Sequence, residues 1–99
     1  GQVTMLTKSE ADALVRAELR RMETPELPFA IVESATLEKP FGWVFFYNSK
    51  RFIETQEIIY QLAGNGPIFV NKFTGVVDVF GTNKPLRVLI EEYERNLGQ

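Results

Sequence analysis

Glu91, Glu92 and Glu94 place three carboxylates within one helical turn of sequence, and paired carboxylates are what general acid–base chemistry asks for. The spacing argues against that use. Neighbouring side chains on a helix diverge by about 100°, and Arg87 and Arg95 stand four residues either side of Glu91. An ion-paired, solvated helix face is the expectation. The stretch "LAGNGPIFVNKFTG", residues 62–75, offers a second chemistry, a glycine-rich loop whose amides cradle phosphate. Such a loop needs G-x-x-x-x-G-K-[ST] ahead of a helix. Here Pro67 follows Gly64, Asn65 and Gly66, which removes a donor, and an apolar strand comes next. Gly64, Asn65 and Gly66 therefore read as positive-φ turn residues in a tight approach to that strand.

The remaining chemical options are narrowed by composition. The 99 residues contain no cysteine and no histidine, which removes thiolate nucleophiles, disulfides, zinc thiolate sites and the usual acid–base group near neutral pH. An all-oxygen metal site stays open in principle, yet no D-x-D-x-D-G run occurs. No catalytic residue, cofactor or metal is expected. The stripe Trp43, Phe45, Tyr47 has the look of a stacking platform, but no basic residue interleaves it, so core packing is the better reading. Eleven basic against thirteen acidic residues give a net charge of −2, and the basic clusters stop at the pairs Arg20-Arg21 and Lys50-Arg51. Nucleic acid is not an expected partner. No apolar run reaches membrane-spanning length and no signal peptide is read, so neither a membrane contact nor export is expected, and a cytoplasmic location suits the cysteine-free chain. The start, Gly-Gln in place of Met, reads as a cloning remnant of one or two residues.

The elements that must position these side chains follow from periodicity. "TKSEADALVRAELRRME" (7–23) predicts a helix, with Thr7 and Glu10 at capping-box spacing and Ala11, Leu14, Val15, Leu19 and Met22 as its apolar stripe. Two prolines in "TPELP" end it. Residues 29–39 and 41–48 are strand-rich. Phe41, Trp43, Phe45 and Tyr47 are placed on one face of the second strand, with Val44 and Phe46 on the other, as in a central strand covered on both sides. Residues 49–61 show no clean period and read as an irregular crossover with a short strand or one helical turn. "PIFV" and "VVDVF" flank "NKFTG" as a hairpin. Residues 84–98 predict a second helix, with Pro85 in its first turn, Gly98 as its stop, and Leu86, Leu89, Ile90, Tyr93 and Leu97 buried. The fold class is α+β: a small single domain over residues 1–99, with a mainly antiparallel sheet of about four strands and an N-terminal and a C-terminal helix packed on it.

Gly42, Trp43, Val44, Phe45 and Tyr47, then Gly64, Asn65 and Pro67, then Thr74 and Gly75, then Gly81, Thr82, Pro85 and Tyr93 form an ordered set across roughly residues 8–95. In that order and spacing the sequence resembles the immunity protein 35 family of bacterial polymorphic toxin systems. One departure is Asn71, where the resemblance leads us to expect an acidic residue; asparagine caps the same turn.

The resemblance implies a non-enzymatic bacterial protein that binds a cognate toxin, encoded by an adjacent gene, and neutralises it by direct protein–protein inhibition. The alternative is a general chaperone-like or adaptor module without a dedicated toxin, and a homodimer is left open. The interface candidates are Glu33, Glu54, Glu57, Asp78, Glu91 and Glu94, with Phe52, Tyr60 and Phe73 as exposed anchors. Phe73 sits mid-turn, where a core role is geometrically awkward. Asp78 shares a strand face with Val76 and Phe80, which suits an edge-strand charge or an interface contact. Glu33, between Ile31 and Ala35, raises the same choice.

Overall fold

The computed structural model describes residues 5–97. Gly1 and Gln2, read as a cloning remnant, and Gly98, read as a helix stop, lie outside the described residues.

Helix α1 (Lys8–Met22) starts where its cap predicts. Thr7 Oγ1 accepts the Glu10 amide at 3.2 Å, and Glu10 Oε1 accepts the Thr7 amide at 2.9 Å, so each residue satisfies a donor the helix cannot. Its buried residues are Ala11, Val15 and Leu19, a line spaced by four. Leu14 falls off that line and is exposed. The chain continues through β1 (Phe29–Ile31), a 3-10 turn (Glu33–Ala35), β2 (Leu37–Lys39), β3 (Gly42–Phe45) and β4 (Tyr47–Ser49). Then come α2 (Lys50–Thr55), a second 3-10 turn (Ile58–Tyr60), β5 (Ile68–Asn71), β6 (Val77–Val79) and α3 (Leu86–Leu97).

The sheet is antiparallel, in the order β2-β3-β5-β6, and β1 pairs with β4 alone. Only Phe46 separates β3 from β4, so a single ribbon serves both sheets. The predicted strand over 29–39 is split by the first 3-10 turn, which carries the chain from β4 as partner to β3 as partner. Alternation along the ribbon supplies two cores. Trp43, Phe45 and Tyr47, with Ile68 and Val70 of β5, pack against Ala11, Val15 and Leu19 of α1. Val44 and Phe69 point the other way and join Leu89, with Ile90 and Tyr93 against them, under α3. The two long helices therefore cover opposite faces of the sheet, an α/β/α sandwich within the α+β class.

Besides Leu14, two placements differ from the sequence reading. Phe41 belongs to the α3 core, with its ring centroid 5.7 Å from that of Phe69 and 4.6 Å from that of Tyr93. The pleat is broken at Gly42, whose φ of 145° is open to glycine and whose missing Cβ would sit 2.0 Å from the Val70 carbonyl oxygen. Leu97 was placed in the α3 stripe but is 46% exposed in the last turn of the helix. The hairpin is as expected: the Gly75 amide donates to the Asn71 carbonyl at 2.8 Å, and Gly75 takes a φ of 76°.

Candidate functional site

The segment read as an irregular crossover is built by three polar side chains on or near β4. Ser49 is fully buried; its Oγ accepts the Phe52 amide at 3.0 Å, capping α2, and donates to the Tyr60 carbonyl at 2.5 Å. Asn48 Oδ1 accepts the Leu62 amide at 2.9 Å, and Asn65 Nδ2 donates to the Tyr47 carbonyl at 2.6 Å. Helix α2 ends at Gln56, which takes a left-handed φ of 60°. Six residues are too few to show an amphipathic period; the helix is closed locally by Ser49 at its start and Gln56 at its end, and the Lys50 amide ties its first turn to the Pro28 carbonyl at 2.8 Å.

Between these ties, the second 3-10 turn presents Ile58 and Ile59 to solvent, 78% and 80% exposed. Burying an isoleucine stabilises a fold by about 1.5–3 kcal/mol, and neither side chain realises that here. The predicted anchors Phe52 and Tyr60 form the base of the projection instead. Both are half-buried, and the Arg51 guanidinium lies 5.4 Å from the centre of the Tyr60 ring. Glu54 and Glu57 are exposed, and neither makes an ion pair among the described residues. The available signal for the tip was the Ile58-Ile59 doublet itself. Two consecutive apolar residues cannot both face one core from a three-residue turn.

A second apolar surface surrounds Phe73, which is 48% exposed with Lys72 Nζ 5.3 Å from its ring centre. It borders a shallow hollow lined by Pro40, Phe41, Glu94 and Leu97, so the structure brings Phe73 and Glu94 together. The turn beneath it is local: Asn71 Oδ1 accepts the Phe73 amide at 2.8 Å and the Thr74 amide at 3.0 Å.

The other predicted residues are scattered. Glu33 lies in the first 3-10 turn and pairs with Arg16 at 3.0 Å. Arg16 also bonds Asp12, chiefly through a hydrogen bond, and its pKa is raised as a result. Glu91 pairs with Arg87 at 3.2 Å, but not with Arg95 among the described residues, and Glu92 pairs with Lys84 at 2.9 Å. Asp78 is half-buried on edge strand β6, opposite Phe69. Burial pushes the Tyr93 phenol above its usual pKa; a hydrogen bond with Asn71 lowers it in part, and the Asp78 charge adds to the rise.

The glycine loop also differs in detail from its reading. Gly64 has a positive φ of 77°, whereas Asn65 and Gly66 do not. Gly66 is required by space, since a Cβ there would lie 2.3 Å from the carbonyl oxygens of both Phe80 and Gly81. Three surface hollows measure about 230, 190 and 290 Å³, below the ~300–1,000 Å³ common for small-molecule sites. Among the described residues no three acidic groups converge to hold a metal ion, and no helix is long and apolar enough to cross a membrane.

The family described as immunity protein 35 matches residues 9–95. The chain belongs to that family. It is also 31% identical over 83 residues to the uncharacterized protein YrhB of Escherichia coli (strain K12), covering 84% of this chain and 85% of that protein. No solved structure matches it. The residues that carry the immunity protein 35 resemblance mostly hold the fold: Gly42 and Gly75 set backbone conformations, Asn65 ties its turn to β4, and Tyr93 packs from α3 onto Phe41 and Phe69. The exposed tip lies outside them.

Proposed function

We propose that this chain is an immunity protein that binds a cognate bacterial toxin and neutralises it by direct protein–protein inhibition in the cell that makes both. The observation that carries the reading is the immunity protein 35 match over residues 9–95. Inhibition of this kind needs surface and no catalytic group. A standard interface takes about 800 Å² from each partner, roughly an eighth of this chain's 6498 Å². A few exposed apolar anchors within such an area are enough for nanomolar affinity, and Ile58, Ile59 and Phe73 are available as anchors. The toxin is expected from an adjacent gene, the genetic arrangement such systems require for protection to travel with the threat.

Co-expression with the product of each adjacent gene, scored by growth rescue and by co-purification, tests the proposal. One neighbour should kill when expressed alone and be both tolerated and captured in the presence of this chain. Harmless neighbours, together with weak capture of many proteins, would replace the toxin with general client binding.

A further inference from the structure

Resting on the immunity reading, we infer that the Ile58–Ile59 tip is the toxin-contacting plug, and that its receptor is an apolar cleft rimmed by basic side chains. Three observations fix the chemistry of that partner. The tip is convex and apolar: both isoleucines are about four-fifths exposed, in a turn that stands outside both hydrophobic cores. A convex apolar group finds its complement in a concave apolar site, the shape of an enzyme's substrate groove. The tip is also tied to the fold on both sides. Ser49 Oγ holds the Tyr60 carbonyl, Asn48 Oδ1 holds the Leu62 amide, and β-branched isoleucine has few rotamers to lose. Little ordering is left for the moment of docking.

The charge beside the tip is unspent. Glu57 directly precedes Ile58, and Glu54 comes from α2, which packs on the same turn. Neither carboxylate makes an ion pair among the described residues, whereas Glu33, Glu91 and Glu92 are all paired. The cations of this segment, Lys50 and Arg51, begin α2, and Arg51 lies over the ring of Tyr60, the residue after the tip. The tip therefore carries an acidic flank that complements Lys or Arg at a cleft mouth. Such pairs speed encounter and select the partner, while the apolar tip slows release. The Phe73 surface offers less of the same combination: one ring that is 48% exposed, with Lys72 over it, and a single carboxylate, Glu94, lining its hollow.

The test uses the full chain and the adjacent-gene product that it captures, measured by calorimetry and by association kinetics. Ile58→Asp/Ile59→Asp should weaken binding at least thirtyfold, roughly the effect of losing a hot spot, with the melting temperature unchanged. Ile58→Ser/Ile59→Ser gives the same readout without added charge, should the aspartates disturb the turn. Glu54→Lys/Glu57→Lys should slow association about tenfold at low salt and flatten its salt dependence. Full affinity in both isoleucine variants would remove the plug and leave the immunity proposal standing. Loss of self-association in those variants, with toxin affinity intact, would reassign the tip to a contact between copies of this chain. If the wild-type chain captures and rescues from no neighbour, the immunity reading falls and takes the plug with it.

Discussion

The α2 projection and the β5–β6 turn both lift apolar side chains into solvent, and their side chains hold them over different distances. At the turn, Asn71 bonds amides two and three residues ahead, and Lys72 adds backbone bonds to Phe41 and Leu6, so the side-chain ties are local and the longer reach is left to the backbone. At the projection, the bonds span 11 residues from Ser49 to Tyr60 and 14 from Asn48 to Leu62. A local device forms with its own strand pair and fails alone. A tertiary device exists only once the ribbon β3–β4 is in place, and its loss frees a whole segment. The difference teaches where rigidity comes from in a segment too short to own a core: from buried polar side chains that reach back to it.

The comparison can be broken most forcefully at Asn71. Asn71→Ala empties a buried position, leaves the part-buried Phe73 and Thr74 amides without their acceptor and removes the contact to Tyr93. A cost of about 3 kcal/mol in urea denaturation is expected, with the slope unchanged. Asn71→Asp keeps the acceptor for both amides but exchanges the amide donor for a buried carboxylate, so a cost smaller than that of Asn71→Ala is expected.

Ser49→Ala should cost about 2 kcal/mol, because it removes a helix cap and a buried hydroxyl donor together. Here the location of the damage matters more than its size. Hydrogen exchange should rise over residues 50–62 while β5 stays protected; uniform loss across the sheet would mean that the projection is no separate unit. Phe73→Ala should change stability by less than about 0.5 kcal/mol, as expected of an exposed side chain outside both cores.

The smallest effect is alkaline. Burial raises the pKa of both Tyr47 and Tyr93 in the folded chain. The phenol is neutral when protonated, so a folded pKa above the unfolded one means that the unfolded chain gives up its proton first. Stability is then intact below the unfolded phenol's pKa of about 10 and declines as pH rises past it. Tyr93→Phe should remove part of that decline, read as the change in urea midpoint between about pH 9 and 11.

Much of this was legible in the sequence, and what was not has physical causes. The capping box at Thr7 and Glu10 and the Asn71–Gly75 turn are short-range patterns that stand as read, and the two-faced strand read over residues 41–48 holds for Trp43, Val44, Phe45, Phe46 and Tyr47. Phe41 went astray because alternation assumes an unbroken pleat, and Gly42 interrupts it for the sake of a backbone contact with Val70. Residues 50–60 were opaque because their order comes from Ser49 and Asn48 acting at a distance. Among the candidate contacts, Phe73 and Glu94 share a surface, whereas Phe52 and Tyr60 support the tip from beneath. The resemblance marked residues that make the fold, and exposure marked the ones left over.

Ser49 is at once the last residue of β4 and the cap of α2, with no linker between them. Mechanically the projection is a lever without a hinge: force applied at Ile59 passes through α2 into the ribbon that both sheets share. A toxin pulling on the tip would load the strand pairing of β4 with β1 directly, in shear.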